Sequence, residues 1–139
     1  GTKGKDKIIG SDSSELIIGG KGRNVYKGGT SADGFMFDSS IDFGKKVADK
    51  ISDFNKEEGD KILLDKEMFD LGKKIKFKSV SGADRARKAS TTNKQFVYEE
   101  SKGKLFFNEN GDGEGWGDGG YFAKLIGLPE LSANTFMLV

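Results

Sequence analysis

The chain has 139 residues, 23 basic and 22 acidic side chains, a formal charge of +1, and neither cysteine nor histidine. Disulfides, thiolate metal sites, Ser-His-Asp and Cys-His catalysis and nearly all zinc chemistry are thereby excluded, leaving a binding or structural domain or, on composition alone, a carboxylate-only glycosidase. The near-neutral charge argues against a dedicated nucleic-acid binder, no apolar run approaches a membrane span, and residues 1 to 20 lack the basic start and apolar core of a secretory signal.

Residues 1 to 36 divide into four nine-residue units opened by Gly1, Gly10, Gly19 and Gly28. The sixth residue of each carries a side-chain oxygen (Asp6, Glu15, Asn24, Asp33), and the eighth is large and apolar (Ile8, Ile17, Tyr26, Phe35). Glycines tolerate positive φ and close backbone approach, so each unit can turn through its first six residues and then run a very short strand. The eighth residue points inward and stacks on its counterpart two units along, so that two units make one coil. Units one and three then line one side, and units two and four the other.

The stacked turns expose carbonyls beside the sixth-position oxygens, which suits a hard cation such as Ca²⁺ with its six to eight oxygen ligands. The candidate metal ligands are Gly1, Lys3, Asp6, Ser11, Asp12, Glu15, Gly20, Gly22, Asn24, Gly29 and Asp33. Several departures weaken the site. Asn24 loses a charge, Glu15 is a methylene too long, Ser11, Asp12 and Ser13 occupy a turn that favours glycine, and Ser31 replaces the second turn glycine of unit four. Lys3, Lys5, Lys21 and Arg23 add positive charge, which lowers cation affinity. One or two weak sites are expected, from Asp6 with Asn24 on one side and Asp33 with Glu15 or Asp12 on the other.

Beyond residue 36 the period changes from nine to two. Lys50-Ile51-Ser52-Asp53-Phe54 predicts a strand, Asn55 to Asp60 a polar turn, and Lys61-Ile62-Leu63-Leu64 the returning strand of a hairpin. A helical turn is expected at Lys66 to Phe69. Lys74 to Val80 alternates as a half-exposed strand with Ile75 and Phe77 on one face. Ser81 to Lys94 holds Asp84-Arg85-Ala86-Arg87-Lys88 and almost nothing apolar, which predicts a solvated, mobile loop. Gln95 to Glu100 and Lys104 to Asn108 form a hairpin across Ser101-Lys102-Gly103. Gly120 to Ile126 is a further strand, Pro129 to Asn134 a turn, and Phe136 to Val139 a terminal apolar segment.

Asn108, Asn110 and Asp112 place oxygens at alternate positions before Gly113, as in the first half of an EF-hand loop, although Gly119 stands where the closing acid would fall. A second ion loop and a tight Asn110-Gly111 turn are both open. Trp116 either stacks on a sugar or pins its loop to the sheet. Asp49, Asp53, Asp60 and Asp65 either assemble a further site or act as solvated or turn-capping aspartates.

The nonapeptide resembles the calcium-binding G-G-x-G-x-D-x-U-x repeat of RTX proteins. The whole chain is similar to the C-terminal end of an RTX protein exported by a type I secretion system, as in serralysin-type proteases. The flank carries this through Asp49-Lys50-Ile51-Ser52-Asp53-Phe54, Glu58 to Leu64, Lys104 to Asn108 and Tyr121 to Gly127. The resemblance implies an all-β fold, with a short parallel β-roll at residues 1–36 and a β-rich cap at residues 37–139 that carries an uncleaved export signal. It also implies transient contact with an ABC exporter, release outside the cell or onto its surface, folding driven there by calcium, and no catalysis of its own. Asn134-Thr135 stands where many such signals carry an acidic residue. Four units make only two coils, so an upstream passenger with further coils is expected. Two other functions are open. One is an adhesive module binding acidic polysaccharide through Lys and Arg on the coils, the basic loop and Trp116; the other is a calcium-free structural solenoid.

Overall fold

The computed structural model describes every residue of the chain except Ser39. The first four strands are β1 (Lys7–Ile9), β2 (Leu16–Ile18), β3 (Val25–Lys27) and β4 (Gly34–Phe37), and each begins nine residues after the one before. They do not pair in sequence order. β1 lies parallel to β3, with Ile8 beside Tyr26, and β2 lies parallel to β4, with Ile17 beside Phe35. Odd and even units therefore belong to different sheets, and the eighth-position residues stack within each.

The two sheets continue across residue 36. β5 (Asp49–Ile51) adds to β3 and β6 (Lys61–Leu64) adds to β4, both parallel. These are the two segments expected to form a hairpin. They do not pair with each other. Alternation correctly marks each as a strand, but a strand already flanked by a parallel neighbour joins that neighbour's sheet, and here the neighbours lie in different sheets.

The later strands are β7 (Phe77–Val80), β8 (Phe96–Glu99), β9 (Lys104–Phe107), β10 (Gly120–Leu125) and β11 (Phe136–Leu138). One sheet has the order β1-β3-β5-β10-β9-β8-β7 and the other β11-β6-β4-β2. The expected β8–β9 hairpin is present, antiparallel with Phe96 opposite Phe107 and Glu99 opposite Lys104. The terminal apolar segment becomes a strand because β6 offers an open edge: Phe136, Met137 and Leu138 lie beside Ile62, Leu63 and Leu64.

The segment expected to be a mobile loop contains α1 (Ala83–Ala89). Ala86 and Ala89 bury against Val80 and Val97 on the outer face of the larger sheet, with Phe106 and Trp116 packed beside them. Residues three apart share a helix face, and alanine is the best helix former, so a small apolar stripe suffices where a sheet is already waiting. Trp116 stacks on Phe106 with ring centroids 4.7 Å apart, the pinning role of the two considered for it.

Between the sheets lies one aromatic-rich core. Tyr26, Ile51, Phe96, Leu105, Phe122 and Leu125 from the larger sheet meet Ile17, Phe35, Phe37, Ile62, Leu64 and Phe136 from the smaller. Edge contacts such as Phe37–Phe122 at 5.1 Å and Phe69–Phe107 at 4.8 Å fill the space between them. Phe69 is delivered by the expected turn after β6, where Asp65 Oδ1 accepts from the Glu67 and Met68 N–H groups. The molecule is β-rich with mainly parallel pairing, and no helix among the described residues is long and apolar enough to cross a membrane.

Candidate metal centre

Two ladders of side-chain oxygens run up the turns, one on each side of the stacked strands. On the first side the Asp6 N–H donates to Asn24 Oδ1 at 3.0 Å and the Asn24 N–H to Asp49 Oδ1 at 2.7 Å. On the second, the Glu15 N–H donates to Asp33 Oδ1 and the Asp33 N–H to Asp60 Oδ1, both at 2.9 Å. Every rung joins a sixth-position backbone N–H to the corresponding side chain of the neighbouring parallel strand. Asp49 and Asp60 thus take the sixth-residue place in the two ladders. The repeat pattern misses them because their loops are longer, yet the sequence carries a signal: Asp6-Lys7-Ile8, Asp49-Lys50-Ile51 and Asp60-Lys61-Ile62 are the same tripeptide. Both cap backbone N–H groups, one of the roles considered for them, and both are buried.

The turns themselves come in two forms. Gly20, Gly22, Gly29 and Ser31 have φ of 77°, 105°, 105° and 78°. Their counterparts in units one and two, Thr2, Gly4, Ser11 and Ser13, do not adopt positive φ. A Cβ on Gly22 would overlap the Gly4 carbonyl oxygen, and one on Gly29 the Ser11 carbonyl oxygen, so glycine permits the close stacking there. Ser31 takes the left-handed conformation without that freedom, and its hydroxyl donates to the Asp12 carbonyl at 2.9 Å. Asp12 Oδ1 also accepts from Thr30 Oγ1 at 3.3 Å.

The remaining carboxylate oxygens are taken up unequally. Asp6 Oδ2 accepts from the Thr2 N–H, and both Glu15 oxygens accept from the Ser11 N–H, with the Ser11 hydroxyl adding a further bond to Oε1. Asp60 Oδ2 accepts from the Asn55 N–H. In unit four the equivalent donor is captured from elsewhere, since the Gly28 and Gly29 N–H groups both go to Asp53. Asp33 Oδ2 is left buried with no hydrogen-bond partner, in a residue only 2% exposed.

Electrostatics separates the two sides further. Burial raises the Asp33 carboxyl above its ordinary range, and the charges of Asp60, Glu15 and Asp53 add to the rise against the hydrogen bond from Glu15. Asp60 is raised for the same first reason, burial. On the other side burial pushes Asp49 up to about 6, although the Tyr26 hydroxyl donates to it at 2.5 Å. The Tyr26 hydroxyl is itself raised by burial and by the Asp49 charge. Half-buried Glu15 moves the opposite way, held down chiefly by its Ser11 hydrogen bonds.

Among the expected ligands, the Gly1, Lys3, Asp6, Gly20, Gly22 and Asn24 turns are stacked on one side and the Ser11, Asp12, Glu15, Gly29 and Asp33 turns on the other. The Asn24 amide is directed for hydrogen bonding within its own side, with Nδ2 donating to the Gly20 carbonyl at 3.2 Å. No group of three Asp, Glu, Cys or His side chains converges as a ready-made cage among the described residues. Any cation here would rely on carbonyls together with one or two carboxylates. Asp33 fits such an ion best, because its spare oxygen is buried, unpartnered and surrounded by like charge.

Asn108, Asn110 and Asp112 lie far along the chain in a separate loop. Asn108 is buried and its Nδ2 donates to the carbonyls of Thr92, Lys94 and Gly111 at 2.8–3.0 Å, tying its own loop to the segment before β8. Asn110 Nδ2 donates to the Glu114 carbonyl, and Asp112 is exposed. The loop is thus braced by amide donors, while Asn108 Oδ1 is buried without a partner. No family model matches this chain, and no curated protein matches it in sequence.

Proposed function

We propose that the chain is a noncatalytic, calcium-responsive folding module of the RTX type, in which residues 1–36 form two coils of a parallel β-roll and residues 37–139 complete and cap it. The observation that carries the reading is the register: strands nine residues apart sort alternately into two parallel sheets, with Lys7 beside Val25 and Leu16 beside Gly34. The unpartnered oxygen of buried Asp33 supports a cation on the stacked turns. Calcium would supply charge neutralisation and six to eight oxygen bonds there. Asp33, with Glu15 or Asp12, and the turn carbonyls are its proposed holders. A cation that binds only the folded form stabilises it by RT ln(1 + [Ca]/Kd), about 2.7 kcal/mol at one hundred times Kd. Weak sites of roughly 10⁻⁴ to 10⁻³ M are empty in the cytosol and filled outside the cell, which would let the chain leave through a type I exporter unfolded.

Circular dichroism melts in millimolar calcium and in EGTA test the switch. Calcium should raise Tm by several degrees while magnesium at the same concentration does not. Identical melts would remove calcium from the proposal and leave a calcium-free structural solenoid. Export is tested separately: a reporter fused to residues 1–139 should leave cells only when a type I exporter is supplied, and retention in its presence would remove that part.

A further inference from the structure

The outer face of the larger sheet, turned away from the core, gathers basic residues that are scattered in the sequence. Lys50 in β5 lies beside Lys124 in β10, and Lys124 lies beside Lys104 in β9. Their chain neighbours Ile51, Ala123, Leu125 and Leu105 all face the core, so the three lysines share the opposite face on adjacent strands. The row extends through Val25, which lies beside Lys50 and Lys7. There Lys5, Lys7, Arg23 and Lys50 line one depression, with Val25 and the single carboxylate of Asp6. At the far end, buried Glu99 stands beside Lys104 and closes the row.

None of these six cations belongs to either of the two ion pairs found among the described residues, Lys56–Glu130 and Arg87–Asp84. Like charges directly abreast on a sheet are destabilising. Lys104 has buried Glu99 beside it and Asp6 borders the depression, but Lys50 and Lys124 stand abreast with no acid between them, a cost that a ligand's anions would relieve. Aromatic surface borders the row. Lys104 Nζ sits 5.2 Å above the Tyr121 ring, and Phe106 lies 5.7 Å from Tyr121 and stacks on Trp116.

We propose that this face, built by Lys5, Lys7, Arg23, Lys50, Lys104 and Lys124, binds an extended acidic polysaccharide laid across the strands. Strands are spaced ~4.8 Å apart, so the row from β1 to β9 spans about 19 Å, with a lysine on every strand but β3, where Val25 stands. That matches a polymer with an anionic group on successive sugars. Nucleic-acid single strands instead favour a charged groove with open aromatic platforms for the bases. Here the Phe106 and Trp116 rings cover each other and Lys104 covers Tyr121, leaving charge on offer and little free ring face. The proposal does not depend on calcium, so it stands or falls separately from the folding switch.

The test is binding of the full chain, in calcium-containing buffer, to fluorescent polygalacturonate and dextran sulfate oligomers, with neutral dextran and single-stranded DNA of matched length and charge alongside. Both acidic glycans should bind, neutral dextran should not, and affinity should fall as salt rises. The K50Q/K104Q/K124Q variant should bind at least tenfold more weakly with a shallower salt dependence, while keeping its circular dichroism spectrum and an equal or higher Tm. K73Q/K74Q/K76Q, which removes as many charges elsewhere, should bind as the parent does. Equal losses in the two triple variants, unchanged binding in the first, or DNA binding tighter than either glycan would each overturn the proposal.

Discussion

The two ladders of turns share a geometry and differ in charge, and the difference separates fold from function. On the Asp6–Asn24–Asp49 side an amide replaces one carboxylate, and the set closes on itself: Asn24 Nδ2 donates to the Gly20 carbonyl, and the Tyr26 hydroxyl donates to Asp49. On the Glu15–Asp33–Asp60 side all three members are acids, Asp53 takes the donors nearest Asp33, and one buried oxygen remains unpaired. The first side is complete as protein alone. The second keeps one buried carboxylate oxygen without a partner.

Four changes would break or sharpen this contrast. The largest effect should come from Asp33→Ala, which strips the Glu15 N–H of its acceptor. It should cost about 3 kcal/mol in chemical denaturation and abolish the calcium-dependent rise in Tm, whereas a calcium response equal to the parent's would relocate the site. Asn24→Asp makes the first side as acidic as the second. In EGTA it should destabilise by about 2 kcal/mol, because an oxygen would then face the Gly20 carbonyl, and calcium should recover most of the loss.

The pH dependence in EGTA follows from the raised carboxyls. A folded-state pKa above the unfolded value means that the folded chain holds more protons between the two, so stability falls as pH rises through that window. For Asp49, raised to about 6 by burial, lowering pH from 7 to 5 should add about 1 kcal/mol, and Asp33 and Asp60 act in the same direction. Glu15, lowered chiefly by Ser11, opposes them only at more acid pH. Melts that fall steadily on acidification from pH 7 to 5 would contradict this. The smallest effect is Ser31→Gly, which relieves a positive φ but loses the bond to the Asp12 carbonyl and should stabilise by about 0.5 kcal/mol.

Much of the ladder was legible in the sequence because nine-residue spacing specifies both the strands and the residues that flank them. Ile8, Ile17, Tyr26 and Phe35 identify themselves by position. Period-two alternation says less: it marks Asp49–Ile51 and Lys61–Leu64 as strands but is silent on partners, and it predicts a hairpin where each strand has a neighbour in a different sheet. The helix at Ala83–Ala89 escaped because its buried stripe is only Ala86 and Ala89, too slight to register as an apolar face until Val80 and Val97 are seen beneath it. The lysine row could not be read at all. Lys50, Lys104 and Lys124 are strangers in the sequence, and only strand register makes them neighbours.

The order in which the strands are made differs from the order in which they are needed. Ile62 has no partner on its outer side until Phe136 exists, and Ile51 none until Leu125 does. Pairings over such distances form slowly, since loop closure precedes any reward. A chain emerging from the ribosome thus carries two unfinished sheet edges from the making of β6 until β10 and β11 follow.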